Sequence, residues 1–374
     1  MYPDWPRTDA DLVPLPRCDG PKLQPFDFGG PQAIEFLEYV GEGLHAHVFK
    51  VAIRGQIYAL KLFRFVYDDD WIGPASDTDP NDREVMSAFY DYAEPFSCEC
   101  RAFGRLREAG REELAVRCFG YILLDEKHER ALAAQFPDVY FNGNIYDAGG
   151  DEMRTRFLGR DGRAPPVRGI VKQFGHQAEE EVDQLWPALA RKMLRDVKAL
   201  QQLGIMRIDV AERQMIDEKI ADFSMAVTVP HFITTPELNP HLTPAMLSAM
   251  ELTTFKLAIG DYLDFDTMVW AWNSYHVSYR RSSCRRIEVC AFPGGRGCRL
   301  KYQLRHKARE HVFTFVDPRG YNWKTGERRN KGRWVYNCNN SQLITTLKEA
   351  QSEGVTQKWD YKNGFIFPRV IIRS

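Results

Sequence analysis

The sequence predicts an α+β chain in which a small antiparallel β lobe with one helix precedes a larger, mainly helical lobe and a basic C-terminal extension. Three observations lead there. Short β-prone runs broken by Gly41, Gly43 and Gly55 fill the segment that starts at Ile34, which suits an antiparallel meander. Apolar residues at helical spacing dominate after residue 176. Positive charge is concentrated in residues 280–333, with sixteen Lys or Arg against four Asp or Glu, although the whole chain carries a net charge of only -1.

Length and composition set the outer bounds. The 374 residues are 44% hydrophobic and 27% charged, a globular balance that excludes fibrous and disordered classes. The opening MYPDWPRTDADLVPLP lacks the basic start and apolar stretch of a secretory signal. No run reaches the roughly eighteen apolar residues of a membrane span. The expectation is an intracellular protein, nuclear or cytoplasmic, without a membrane partner. Its eight cysteines are then expected as thiols, with Cys98 and Cys100 packing inside a helix. Cys284, Cys290, Cys298 and His306 suggest zinc, but their spacing lacks the paired CxxC form of most structural sites.

Element by element, residues 1–30 read as a proline-rich leader laid on the surface or left as a tail. Residues 31–175 form the first lobe, with insertions at 66–95, an irregular acidic excursion, and at 127–166, a loop. Between them PFSCECRAFGRLREAG reads as a helix, with Phe96, Cys100, Phe103 and Leu106 on one side, Ser97 as cap and Gly110 as terminator. LAVRCFGYILLDE reads as a strand pair and VRGIVKQFG as a further strand. The second lobe covers residues 176–278. It opens on a helix over 176–203, where Leu185, Leu189, Met193, Val197 and Leu200 recur at three or four residue steps. A loop and two very short β runs follow, then a mainly helical stretch. Residues 279–374 form the extension, with a helix near 341–353 and a hairpin turning at Asn363 and Gly364.

The chemistry-bearing residues fall in a recognisable order. GEGLHAHVFKV resembles a kinase glycine-rich loop: Gly41 and Gly43 let the backbone approach phosphates, and Val48 stands where a residue covers the adenine. Lys61 in YALKLF occupies the third strand, where a kinase lysine neutralises the inner phosphates, and Glu99 on the next helix can orient it. Gln173, on the connecting strand, joins the cofactor-binding set. Asp209 in GIMRIDVAERQ takes the place of the catalytic-loop aspartate. Gln214 stands where kinases carry a metal-binding asparagine, and Asp222 in IADFSMA matches the magnesium-binding aspartate of the DFG motif. This succession resembles the protein-kinase layout and implies ATP and Mg2+ as cofactors.

With these residues in view, the chain resembles the fungal kinetochore Sim-four-complex subunit Fta-two family, whose members carry a protein-kinase-like domain. PLPRCDGPKLQPFDF, FLEYVGEGLHAHVFKV, YALKLF, PFSCECRAFGRL, GIVKQF and IADFS carry the resemblance, over roughly residues 14–226. It implies a kinetochore location and protein partners.

Two activities stand side by side. Lys61, Glu99, Asp209 and Asp222 supply the central charges for nucleotide binding and for an ATP-dependent protein Ser/Thr phosphotransferase. Against the enzyme, Arg207 and Ile208 replace the usual histidine and arginine, and Ala211 replaces the expected lysine. Each lost transition-state donor costs about 3–4 kcal/mol, which favours a pseudokinase scaffold. Arg213 can reach a transferred phosphate or lie solvated, and Thr235, Pro236 and Glu237 end an activation segment only fifteen residues beyond Asp222. The basic stretch interleaves cations with Phe292, Tyr302, Phe313, Phe315, Tyr321, Trp323 and Trp334. It is read either as a surface for nucleic acid or an acidic protein, or as a solvated face docked on the acidic remainder of the chain.

Overall fold

The computed structural model describes residues 1–68, 71, 83–143, 153–175, 185–238, 244–279, 286–289, 291, 311–328, 333–338, 356–362 and 365–371. The chain is α+β and divides into two compact units. The first comprises Met1–His176, Ala221–Met225 and Tyr361–Gly364; the second comprises Gln177–Ile220, Ala226–Asp360 and Phe365–Ser374.

The first unit is built on five antiparallel strands: β1 (Glu35–Glu42), β2 (Ala46–Ile53), β3 (Gln56–Phe63), β4 (Cys118–Leu123) and β5 (Arg168–Gln173), in the order β1-β2-β3-β5-β4. The two-residue period sorts their side chains: on β2, Phe49, Val51 and Ile53 are buried while Val48, Lys50 and Ala52 are partly open. The predicted strand pair around residue 120 is one strand, because Glu112–Leu114 form a 3-10 turn instead of a ladder.

Helix α1 (Arg83–Ala93) occupies part of the expected irregular excursion. Its buried Met86, Phe89, Tyr90 and Ala93 have helical spacing, which the acidic run before them had masked in the sequence. Helix α2 (Pro95–Glu108) starts with Glu94 as its cap, not Ser97. The Glu94 carboxylate accepts from the backbone N–H groups of Phe96 (3.0 Å) and Ser97 (3.2 Å), with Pro95 in the first turn. The expected loop at 127–166 opens with helix α3 (Glu126–Gln135), capped by Asp125, and contains the short α4 (Met153–Arg156).

Residues Pro95 to Leu106 of α2 are all buried, so the helix needs cover on the side away from the sheet. The proline-rich leader supplies it. Instead of lying loose on the surface, the leader closes on itself through Leu15 and Leu23 and pairs with β4 through Phe26 N–H to Tyr121 O (2.7 Å) and Tyr121 N–H to Gln24 O (3.0 Å). Tyr2 is buried edge-on against Phe65 and Tyr90, both at 5.0 Å between ring centroids, with the Arg168 guanidinium over its face. Cys98 and Cys100 are buried, and both are free thiols.

The second unit contains α5 (Pro187–Gln202), whose buried Leu189, Met193, Val197 and Leu200 follow the predicted stripe. Its start at Pro187 is later than expected, and residues 176–184 lie outside the described residues. Two short ladders follow: β6 (Ile205–Met206) with β9 (Val227–Thr228), and β7 (Met215–Ile216) with β8 (Lys219–Ile220). Helix α6 (Pro244–Tyr279) runs for 36 residues. Strands β10 (His311–Val316) and β11 (Arg333–Cys338) pair antiparallel. No helix among the described residues is long and apolar enough to cross a membrane. Cys284, Cys290, Cys298 and His306, most of the basic stretch, the helix near 341–353 and the Asn363-Gly364 turn lie outside the described residues.

Gly104 marks the tightest point of the leader's contact. A side chain there would place its Cβ 2.6 Å from the carbonyl oxygen of Lys22, a backbone atom that cannot swing aside. Gly104→Ala is therefore expected to destabilise the protein by about 1–3 kcal/mol through overpacking. Chemical denaturation measures the loss, and limited proteolysis within residues 18–26 should accelerate with it.

Candidate functional site

The first unit buries a compact group of charges between the sheet and α2. In the sheet ladder, Gly41 opposes Val48, Val48 opposes Lys61, and Lys61 opposes Ile170, so Val48, Lys61 and Ile170 leave the sheet on one face. The same period puts Arg168 and Lys172 of β5 on that face. Helix α2 meets them with two carboxylates. Glu94 takes Arg168 at 2.8 Å, and Glu99 takes Lys61 and Lys172 with its two separate oxygens, the Lys61 contact being 2.7 Å. Gln173 pairs with Tyr58 and lies on the opposite side of the strand from Lys172. Its backbone N–H donates to Arg117 O at 2.8 Å.

Asp222 completes the group. Its Oδ1 lies 2.7 Å from Lys61 Nζ and accepts the backbone N–H of Ser224 at 2.8 Å. Lys172 also donates to the carbonyl oxygen of Ala221 at 2.7 Å, and His45 of the glycine loop bonds the Ser224 hydroxyl at 3.1 Å. Phe223 is buried and packs edge-on against Phe103 of α2 at 5.2 Å. The short segment around Asp222 is thus tied to the sheet, the helix and the glycine loop of its own unit.

The electrostatics follow from burial set against pairing. Burial alone would lower the Lys61 ammonium, but the Asp222 and Glu99 carboxylates outweigh it and raise its pKa. Burial would likewise raise Asp222. Lys61 and then Lys172 reverse that effect and hold the carboxyl well below the usual carboxylate range, although about a third of the Asp222 side chain (33%) reaches solvent. Two ammonium groups face two carboxylates, so the cluster is neutral overall.

The second unit holds Asp209 and Gln214. Ile208 has a left-handed φ of 70°, a strained conformation for a β-branched residue. The backbone around it is fixed by Asp261 of α6, which accepts from the N–H groups of Arg207 (3.1 Å) and Ile208 (2.7 Å) and from Gln201. Burial pushes the Asp261 carboxyl up, against those bonds. Asp209 is gripped by two Arg213 contacts of 3.0 and 2.9 Å and accepts a bond from the Gln214 amide nitrogen. The Gln214 amide oxygen accepts from Arg207 at 2.6 Å.

These engagements bear on the expected metal. A magnesium ion needs oxygen ligands at short, near-octahedral positions. The Gln214 oxygen already serves Arg207, and Asp222 Oδ1 already serves Lys61 and Ser224. Each of the two expected ligands thus already carries hydrogen bonds within its own unit, Gln214 through its amide oxygen and Asp222 through Oδ1. A depression of about 400 Å³ lined by Trp5, Glu126, Glu129, Arg154 and Arg163, among others, lies in the first unit and shares no residue with the charge cluster.

The structure brings Lys61, Glu99 and Asp222 together, and it adds Lys172, His45 and Asp261, which the sequence reading did not single out. Lys172 had one available signal: it is the lone charge between Ile170-Val171 and Phe174 in a strand that is otherwise apolar over that stretch, apart from Gln173. Asp261 has the same kind of signal, an acid inside the apolar run LAIGDYL.

Two outcomes are expected. Glu99→Ala leaves two buried ammonium groups without their shared anion and should cost about 3–5 kcal/mol in urea denaturation. Because the folded pKa of Asp222 is depressed, its stabilisation is present above the unfolded carboxyl pKa and is lost as pH falls below it. Asp222→Asn should therefore lower the melting temperature at neutral pH, and the gap to the wild type should narrow on acidification below about pH 4.

Comparison with curated proteins finds no match. The family described as kinetochore Sim4 complex subunit FTA2 matches residues 12–227, a span that covers the first unit's sheet, α2, the lysine cluster and Asp209. With more than half of its length matched, the chain belongs to the kinetochore Sim4 complex subunit FTA2 family.

Proposed function

We propose that this chain is a kinase-like pseudokinase that binds ATP and serves as a scaffold subunit of a kinetochore complex. The observation that carries the nucleotide reading is the convergence of Lys61, Glu99 and Asp222 at 2.7 Å contacts from three separate parts of the sequence. A kinase-type nucleotide site requires that combination, with the lysine oriented by a helix carboxylate and the aspartate beside it. Residues 31–175 and 176–278 are the two lobes of this reading, and 279–374 its extension.

Gly43 adds a second argument. It has no positive φ, and no atom lies within 4 Å of the place a Cβ would take. Folding therefore makes no demand for glycine there, whereas close approach of a phosphate to the backbone does.

The scaffold reading is favoured over phosphoryl transfer by the state of the loop around Asp209. A general base must be available to the hydroxyl it deprotonates. Here the Asp209 carboxylate is held by Arg213 and Gln214, and the electropositive groups normally found nearby are replaced by Ile208 and Ala211. Family membership supports protein partners and a nuclear, kinetochore location. The basic residues of 280–333 are suited to an acidic partner, nucleic acid or protein, with affinity that falls as salt is added.

Thermal denaturation tests the nucleotide reading. ATP at one hundred times its dissociation constant should stabilise the protein by about 2.7 kcal/mol, and Lys61→Ala should abolish the shift. Gly43→Val should keep the melting temperature of the free protein and weaken ATP. A wild-type protein indifferent to ATP would remove the nucleotide reading, and steady phosphate incorporation that disappears in Asp209→Asn would replace the scaffold with an enzyme.

A further inference from the structure

Lys172 is a fully engaged lysine inside the first unit, buried to 5% exposure. It bonds Glu99 and the Ala221 carbonyl at once. Neither contact is needed to build the strand, whose ladder is made by backbone groups. The effect of Lys172 is on charge. Lys61, Glu99 and Asp222 alone would sum to one negative charge in a poorly hydrated place, and that excess would attract a further cation. Lys172 cancels it.

The consequence can be followed atom by atom. Glu99 has one oxygen on each lysine, so neutralising Glu99 does not depend on Lys61 alone. Lys61 is then able to turn its charge towards an incoming anion while Glu99 stays paired. Asp222 is the group that loses its partner in that exchange, but Ser224 N–H remains bonded to its Oδ1. Lys172 Nζ holds the carbonyl of Ala221, next to Asp222 in the chain, and its charge acts on the Asp222 carboxylate, where it ranks just after Lys61 among the attractive influences. The buried Lys172 ammonium thus adds a second positive charge beside Glu99 and the Ala221 carbonyl, and Coulomb repulsion opposes a further cation close by.

We propose that Lys172 takes over the electrostatic role of a divalent cation in this site, so that the phosphates of a nucleoside triphosphate are held at Lys61 without bound metal. This rests on the nucleotide reading above. It agrees with the bonds that Asp222 Oδ1 already makes to Lys61 and Ser224.

Isothermal titration of the full chain with ATP, once in EDTA and once in excess Mg2+, tests it directly. The expected result is binding in both, with affinities within about threefold of each other, a difference of well under 1 kcal/mol. Binding that requires Mg2+ would overturn the role given to Lys172 and leave the nucleotide reading intact. Absence of binding in both buffers would overturn the nucleotide reading, and this proposal with it.

Lys172→Met retains an unbranched side chain without the charge, and Lys172→Arg retains the charge. In EDTA the methionine variant should bind ATP at least about tenfold more weakly, with Mg2+ restoring part of the loss, while the arginine variant should stay independent of metal. Unchanged affinity of Lys172→Met in EDTA would sink the proposal. If the methionine variant fails to fold, as judged by circular dichroism, the wild-type comparison and the arginine variant still decide: an arginine variant that binds ATP only with Mg2+ counts against the proposal.

Discussion

Glu99 is the constraint on which the first unit depends. A carboxylate with no solvent exposure must be neutralised by close partners, because stranding such a charge costs several kcal/mol. Both of its oxygens are met by lysines from different strands, which fixes the distance and rotation of α2 against the sheet. Glu94 and Arg168 repeat the arrangement near the start of the same helix. Helix and sheet are therefore joined by ion pairs at two points as well as by the rings of Phe63, Phe96 and Tyr121. Apolar packing tolerates small slips, whereas paired charges in a dry interior do not.

The second unit shows the same economy of polar groups in a different setting. Arg207, Gln214, Asp209 and Arg213 form a chain in which each side chain satisfies the next, and Asp261 fixes the backbone beneath them. Such closure gives a well-defined loop. Its hydrogen bonds run from Arg207 through Gln214 and Asp209 to Arg213.

How much of this was legible in the sequence depended on whether local spacing carried the signal. The meander, the helix around Phe96 to Leu106 and the stripe on α5 were readable because their periods are intact. Lys61 and Asp222 were readable from their order along the chain. Ser97 is the commoner capping type, and only the buried Arg168 explains why Glu94 caps the helix instead. Lys172 was hidden for a different reason: a lysine near a strand end is ordinarily solvated, and its burial is decided by α2 and by Ala221, which are 73 and 49 residues away. The leader was unreadable as a structural element since its prolines carry no periodicity, and its place is set by Gly104 and the edge of β4.

The first unit draws on Met1–His176 and also on Ala221–Met225. The aspartate that meets Lys61 therefore stands 161 residues beyond it in the chain, past the end of the sheet. Without Asp222, Glu99 would still meet Lys61 and Lys172, and the cluster would carry one net positive charge. A fragment cut at the apparent end of the sheet would therefore bury one net positive charge, with two lysines sharing the single carboxylate of Glu99.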